Sequence, residues 1–340
     1  MTATITPRQR LAELIDDMGG RVACLALSKD PNAKVTLLLF RAGQDLPSYV
    51  AKVPSTDAAV LRVELEATAL AQLDRSALGS LAETIPQVAA RAEHLGHPVL
   101  VTTALPGRLM LADYHTWRHT ARPALVQADF DAAGQWLAEL QERTSSGQIA
   151  LSAMLEGTGE QIRHRFGDDP AVAADVAADI EHLSALQDRL ADYKVPRVVM
   201  HGDFWPGNLL ISAGRVRGVI DWEAAEQVGL PTRDLARFMI TYSLYLDRHT
   251  RPGRPVHRHP GLRADRWGAG LEYAISGAGW YPELARLFVA DGLRRLGVPP
   301  ACGHDILLAE IARIAAEADH PDFARNHLLV YRRVRGTGRS

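Results

Sequence analysis

Short apolar runs separated by polar breakers fill the first hundred residues. RVACLALS, from residue 21, is followed by the turn KDPNAK, then by VTLLLF and SYVAKV, with Asp-Pro-Asn and Gly-Gln-Asp as breakers. Runs of this length bounded by Gly, Pro, Asn and Asp predict strands, here an antiparallel meander of three. In AAVLRVELEATALAQL the period lengthens, which predicts a helix with Leu61, Ala67, Leu70 and Leu73 on one face. PQVAARAEHLGHPVLVTTAL adds two further strands around a Leu-Gly-His-Pro turn, and Leu105-Pro106-Gly107 then reads as a hinge. Ahead of all this, MTATITPRQRLAELIDDMGG lacks the apolar core of a signal peptide and predicts a short amphipathic helix.

Beyond the hinge the pattern turns helical and rich in Ala and Leu, in ADFDAAGQWLAELQERT, AVAADVAADIEHLSALQDRLADY, DLARFMITYSLYLDRH, PELARLFVADGLRRL and DILLAEIARIAAEAD. One interruption stands out. VPRVVM, the loop HGDFWPGN, the run NLLIS, the turn AGR and VRGVID predict a strand, a loop and a hairpin among the helices. The expected architecture is therefore α+β: a five-stranded antiparallel sheet with one helix over 1–105, then a larger, mainly helical part over 106–340. A basic segment, DRHTRPGRPVHRHPGLRADRW, carries Arg248, Arg251, Arg254, Arg258, Arg263 and Arg266 and reads as a solvated loop.

Composition narrows the function classes. With 340 residues, 47% hydrophobic, 23% charged and a net charge of -2, the chain can bury a large core and is no polyanion binder. Nucleic acid is not an expected partner. No apolar stretch approaches the roughly 20 residues that span a bilayer, so no membrane partner is expected. Cys24 and Cys302 are too few for a disulfide framework or a cysteine-rich zinc site, which suits a reducing cytoplasm.

The chemistry concentrates in HGDFWPGN. Asp203 precedes Asn208 by five positions, the spacing of a phosphoryl-transfer loop in which the Asp accepts the substrate hydroxyl proton and the Asn holds Mg2+. Asp221, at the end of the apolar run GVID, offers a second carboxylate to a hard cation that prefers oxygen ligands. By themselves Asp203 and Asn208 could equally cap a turn.

HGDFWPGNLL, GVIDWEAA and PTRDLA, in this order and spacing, resemble the aminoglycoside phosphotransferase and choline kinase family, small-molecule relatives of the protein kinases. The resemblance implies a bilobal, protein-kinase-like fold with a nucleotide-binding lobe over 1–105 and a catalytic and substrate-binding lobe over 106–340. It implies Asp203 as the catalytic base, Asn208 and Asp221 as magnesium ligands, and His201 as a brace for the loop. Asp234 would anchor the loop backbone, or simply cap the helix DLARFMITY.

The same resemblance supplies the nucleotide half. A kinase sets a strand lysine, paired with a helix glutamate, on the phosphates of ATP. Lys52 in SYVAKV and Glu66 in the following helix match, with Glu64 the weaker partner, although a lone lysine is usually a surface residue. VLVTTAL corresponds to the hinge strand, where backbone groups from Thr103 to Leu105 would meet the adenine edge of ATP or GTP. The phosphate-covering loop ALSKDPNAKV has no glycine, departs from the kinase pattern, and leaves Ser28 and backbone N–H groups for the phosphates.

Pro231 and Asp234 follow Asp221 too closely for a peptide-docking segment, so a small hydroxyl acceptor is expected. Glu223 and Glu226, and further along Asp247, Glu272 and Asp291, are candidate carboxylates for a cationic acceptor such as an aminoglycoside, amino sugar or amino alcohol. Glu223 could serve substrate or metal. Trp267, Tyr273, Trp280 and Tyr281 could stack on a ring or pack in the core. His249, His257 and His259 lack the spacing of a transition-metal site. The alternative to an enzyme is a nucleotide-binding pseudokinase or regulator of the same fold. A hydrolase built on His201 and Asp203 lacks a nucleophile, since no GxSxG motif occurs.

Overall fold

The computed structural model describes residues 9–17, 20–27 and 32–336. The chain groups into two compact units, 1–107 with 217–227, and 108–216 with 228–340. The smaller unit therefore takes 217–227 from the second part of the sequence, because the turn Trp222–Ala224 packs against the helix Asp57–Gln72.

In the smaller unit, Arg21–Leu27, Lys34–Phe40, Tyr49–Pro54, Val88–His94 and His97–Thr103 form the five antiparallel strands the sequence predicts. A two-residue strand, Gln9–Arg10, adds a parallel edge that the pattern did not announce. Leu39, Ala51, Ala92, Val99 and Val101 form the core of one face. The helix Asp57–Gln72 is capped by Thr56, whose hydroxyl accepts from the Ala59 N–H at 3.2 Å. It buries Val63, Ala67 and Leu70, an i, i+4, i+7 row. Leu61 does not share that face; it is 61% exposed, because residue 61 lies two positions before this row and so points away.

The larger unit is mostly helical. The helices Pro123–Thr144, Val176–Leu190, Pro231–Leu244, Trp280–Arg295 and Gly303–Glu317 match predicted segments, although Pro231–Leu244 stops before the expected YLDRH extension. Thr158–Phe166, Ala269–Ser276 and Pro321–Val334 are additional helices outside the predicted segments. Phe130 sits at the centre, meeting Phe238, Tyr242 and Phe288 edge-to-face at ring separations of 5.2, 4.8 and 5.0 Å.

The strand Lys194–Met200 pairs antiparallel with Ser146–Ala150, and Leu209–Ser212 pairs with Arg108–Leu109. Arg215–Val219 then carries the chain into the smaller unit. The basic segment is a loop whose six arginines are exposed, as expected, but it is folded on itself. Gly253 and Val256 donate backbone hydrogen bonds to Ala264 and Leu262, and Val256, His259 and Leu262 are buried beneath them. Among the described residues no helix is long and apolar enough to cross a membrane.

Candidate active site

The strand Tyr49–Pro54 turns Lys52 inward, where it is 7% exposed. Its ammonium donates to both oxygens of Glu66 at 2.6 Å and also bonds Oδ1 of Asp221. Burial opposes the charge on Lys52, but the carboxylates of Asp221 and Glu66 outweigh it and raise the lysine above its ordinary value. Glu66, 1% exposed, also accepts the backbone N–H of Trp222 at 3.3 Å, which fastens the turn that carries Asp221. Glu64 pairs instead with Arg91 at 3.2 Å.

Asp221 itself has φ 63°, a left-handed conformation that a non-glycine residue holds only where its surroundings fix it. Glu223, two residues on, is taken up by Lys34, a pair for which no spacing rule prepared the sequence reading. Glu226 is exposed. At the predicted hinge, Thr103 donates its N–H to Gln87 at 2.9 Å and Ala104 donates to Ser48 at 3.0 Å, so these donors are spent inside the unit. The Thr103 hydroxyl accepts from the Gln87 N–H at 3.0 Å, and Leu105 follows as a half-buried residue. Ser28 lies outside the described residues.

In the larger unit, the loop after Met200 is held chiefly through its backbone. Asp234, in the first turn of the helix Pro231–Leu244, accepts the N–H of His201 at 2.7 Å on one oxygen and that of Gly202 at 2.9 Å on the other. Burial raises the Asp234 carboxyl above its ordinary value, against the stabilising pull of His201 and the two N–H groups. His201 is fully buried and its Nδ1 accepts the N–H of Asp203 at 3.2 Å. The sharp bend needs glycine twice. Gly202 has φ 80°, and a Cβ at Gly207 would lie 2.3 Å from the Trp205 ring. Phe204 stacks on Trp136 at 5.3 Å and pins the loop to the core.

This leaves the Asp203 side chain 38% exposed at the loop's apex. Asn208 folds back, its Nδ2 donating to the Asp203 carbonyl at 2.9 Å and to Oδ2 at 3.1 Å. Arg237, one helical turn beyond Asp234, meets Oδ1 at 3.1 Å. The sequence reading passed over Arg237, although its place in DLAR put it on the same helix as Asp234, one turn on.

Other candidates have structural partners. Glu272 pairs with Arg266 at 2.6 Å and also with Arg333, and Asp291 pairs with Arg294. Asp247 is half-buried. Tyr273 and Tyr281 are buried and stack on each other at 6.3 Å, and Trp280 meets Tyr281 edge-on at 5.5 Å. Trp267 meets His327 edge-on at 4.9 Å. His259 contacts the Thr120 carbonyl at 2.9 Å, and His249 meets His115 at 3.0 Å.

Solved structures with the same fold include a thermostable mutant of aminoglycoside phosphotransferase APH(4)-Ia in ternary complex with ADP and hygromycin B. It is 15% identical with a TM-score of 0.57, over 96% of this chain and 97% of that one. The streptomycin-ATP-APH(2")-IIa ternary complex aligns at 14% identity and TM-score 0.52, over 98% and 97%. ADP-bound APH(2'')-Ib aligns at 15% identity and TM-score 0.52, over 94% and 95%. No curated protein sequence gives a significant match. The sequence profile of the phosphotransferase enzyme family matches residues 38–275, a span that runs from the second antiparallel strand through the loop of Asp203 and the helix of Asp234 and Arg237. The chain belongs to that family, and it is a small-molecule kinase of the kinase-like fold.

Proposed function

We propose that the protein transfers the γ-phosphate of ATP to a hydroxyl of a small molecule. The observation that carries this reading is the Lys52 ammonium, buried and held between Glu66 and Asp221. A buried cation on a strand, oriented by a helix carboxylate, is the group a kinase sets against the phosphates of its nucleotide. In the complete reaction Asp203 would orient the acceptor hydroxyl and take its proton, while Lys52 would neutralise charge on the triphosphate. His201 and Asp234 would act at one remove, by fixing the backbone that presents Asp203. The Thr103 and Ala104 N–H groups being engaged, the adenine edge would rely on hinge carbonyls and the Leu105 N–H. Backbone recognition of this kind accepts ATP and GTP alike.

The donors suit Mg2+. Asn208 commits its Nδ2 to Asp203, so its amide oxygen is the atom it would offer, and Asp221 brings a carboxylate. Either oxygen would suit a magnesium ion, which would neutralise phosphate charge.

For the acceptor, the aminoglycosides bound by proteins of the same fold put amino sugars and related antibiotics first, with amino alcohols next. Glu223, paired with Lys34, and the exposed Glu226 are the proposed acceptor carboxylates. Two free cysteines, Cys24 and Cys302, suit a reducing cytoplasm. ADP release should appear with at least one member of a panel of aminoglycosides, sugars and amino alcohols. With that acceptor, Asp203→Asn should lower turnover about 1,000-fold, within the range of general-base losses. Full turnover in the variant would remove Asp203 from the mechanism. Mg2+-dependent thermal stabilisation by ATP without ADP release on any acceptor would favour the pseudokinase alternative.

A further inference from the structure

We infer that Arg237 is a positioning residue for Asp203, locking its carboxylate in the plane that presents it to the acceptor hydroxyl. The inference rests on the proposed role of Asp203.

A carboxylate 38% exposed at a loop apex has two soft side-chain torsions to fix. Here both oxygens are tied from opposite sides. Oδ2 takes the Asn208 amide at 3.1 Å, and Oδ1 takes the Arg237 guanidinium through NH2 at 3.1 Å and Nε at 3.3 Å. The guanidinium is a planar fork, so two donors on one oxygen fix direction as well as distance.

Arg237 is in turn held from behind. Its NH1 lies 3.9 Å from Oε1 of Glu310, a carboxylate with no exposed surface on the helix Gly303–Glu317. Glu310 is clamped by Arg313, which donates from Nε at 2.9 Å and from NH2 at 2.6 Å. Burial works against the Glu310 charge, yet Arg313, Arg237 and Arg233 together hold the carboxyl below its ordinary value. Arg313 already satisfies Glu310 in bidentate fashion, so packing alone does not explain why that buried charge also faces Arg237. Fixing the guanidinium that grips Asp203 does. The helix Pro231–Leu244 thus supports the loop twice: Asp234 holds its backbone, and Arg237, one turn later, holds its reactive side chain.

The test is a double-mutant cycle with the best acceptor. Arg237→Ala should lower kcat about 100-fold, the scale of a catalytic group displaced by an ångström, with KM for nucleotide and acceptor within about twofold. In an Asp203→Asn background the same change should cost less than about threefold, because residues acting as a unit are not additive. Added guanidinium should restore part of the kcat of Arg237→Ala. Arg237→Lys, which keeps the charge without the fork, should fall between, at about 10-fold, and serves in the cycle if Arg237→Ala does not fold. Equal losses in both backgrounds, or a raised acceptor KM with unchanged kcat, would overturn the inference while leaving Asp203 in place. Full turnover in Asp203→Asn alone would instead overturn the functional reading beneath it.

Discussion

The smaller unit buries a charged lysine, whereas the larger unit buries two neutral histidines beside charged pairs of its own. In the smaller unit Lys52 and Glu66 are both charged and neutralise each other at 2.6 Å, with Asp221 as a third member. In the larger unit the buried histidines His259 and His327 are neutral, and each has a ring nitrogen without a hydrogen-bond partner. The first arrangement keeps a cation ready at the expense of two desolvated charges. The second packs neutral rings into a core that elsewhere holds a buried charged pair, Glu310 with Arg313, and the loop that presents Asp203 is held chiefly by backbone bonds. A buried group can thus be kept charged for chemistry or neutral for packing, and its partners decide which.

Acid should strike the larger unit hardest. Burial pushes His259 and His327 down from 6.5 to about 4. The unfolded chain therefore binds more protons than the folded one between those values. Stability is fully present above about pH 6.5 and is lost as pH falls toward 4, by about 3 kcal/mol for each histidine. Thermal melts from pH 7 to 4 read this directly; a flat Tm across that window would mean the two rings are not buried neutral.

Lys52→Met attacks the smaller unit where it is charged. Glu66, 1% exposed, would lose its cation, so stability should fall by about 3–5 kcal/mol. ATP should no longer raise Tm. If chemical denaturation showed a loss below 1 kcal/mol, the buried pair would not be the stabilising contact it looks to be.

The smallest of these effects belongs to the backbone brace. Asp234→Asn retains one good acceptor for the N–H groups of His201 and Gly202, so stability should drop by about 2 kcal/mol. Turnover should fall while Tm with and without ATP keeps the same spacing. A variant that lost the ATP-dependent shift but kept kcat would reverse the division drawn between the two units.

Much of this was legible along the chain, for reasons that differ by residue. The antiparallel strands follow from short apolar runs between breakers, and the loop of Asp203 follows from Gly202, Pro206 and Gly207 between two such runs. Lys52 and Glu66 were legible as a pair only through the family resemblance, since a lone strand lysine usually lies at the surface. Leu61 was misplaced because a helix with apolar residues on several sides does not reveal which row is buried; contact with the sheet chose Val63, Ala67 and Leu70. Pro321–Val334 was passed over although Ala324, Leu328, Tyr331 and Val334 recur at helical spacing and are buried.

Local order followed from the sequence: the bend of HGDFWPGN, its Asp and Asn five apart, and the short strands between breakers. Tertiary structure decided what each charge faces. Arg237 meets Asp203 across 34 positions, Lys34 meets Glu223 across 189, and Glu310 reaches Arg237 from a helix near the chain's end. Backbone conformation is set by neighbours within a few residues, which a sequence displays. Pairing of charges is set by which surfaces the folded core brings together, and no spacing along the chain encodes that.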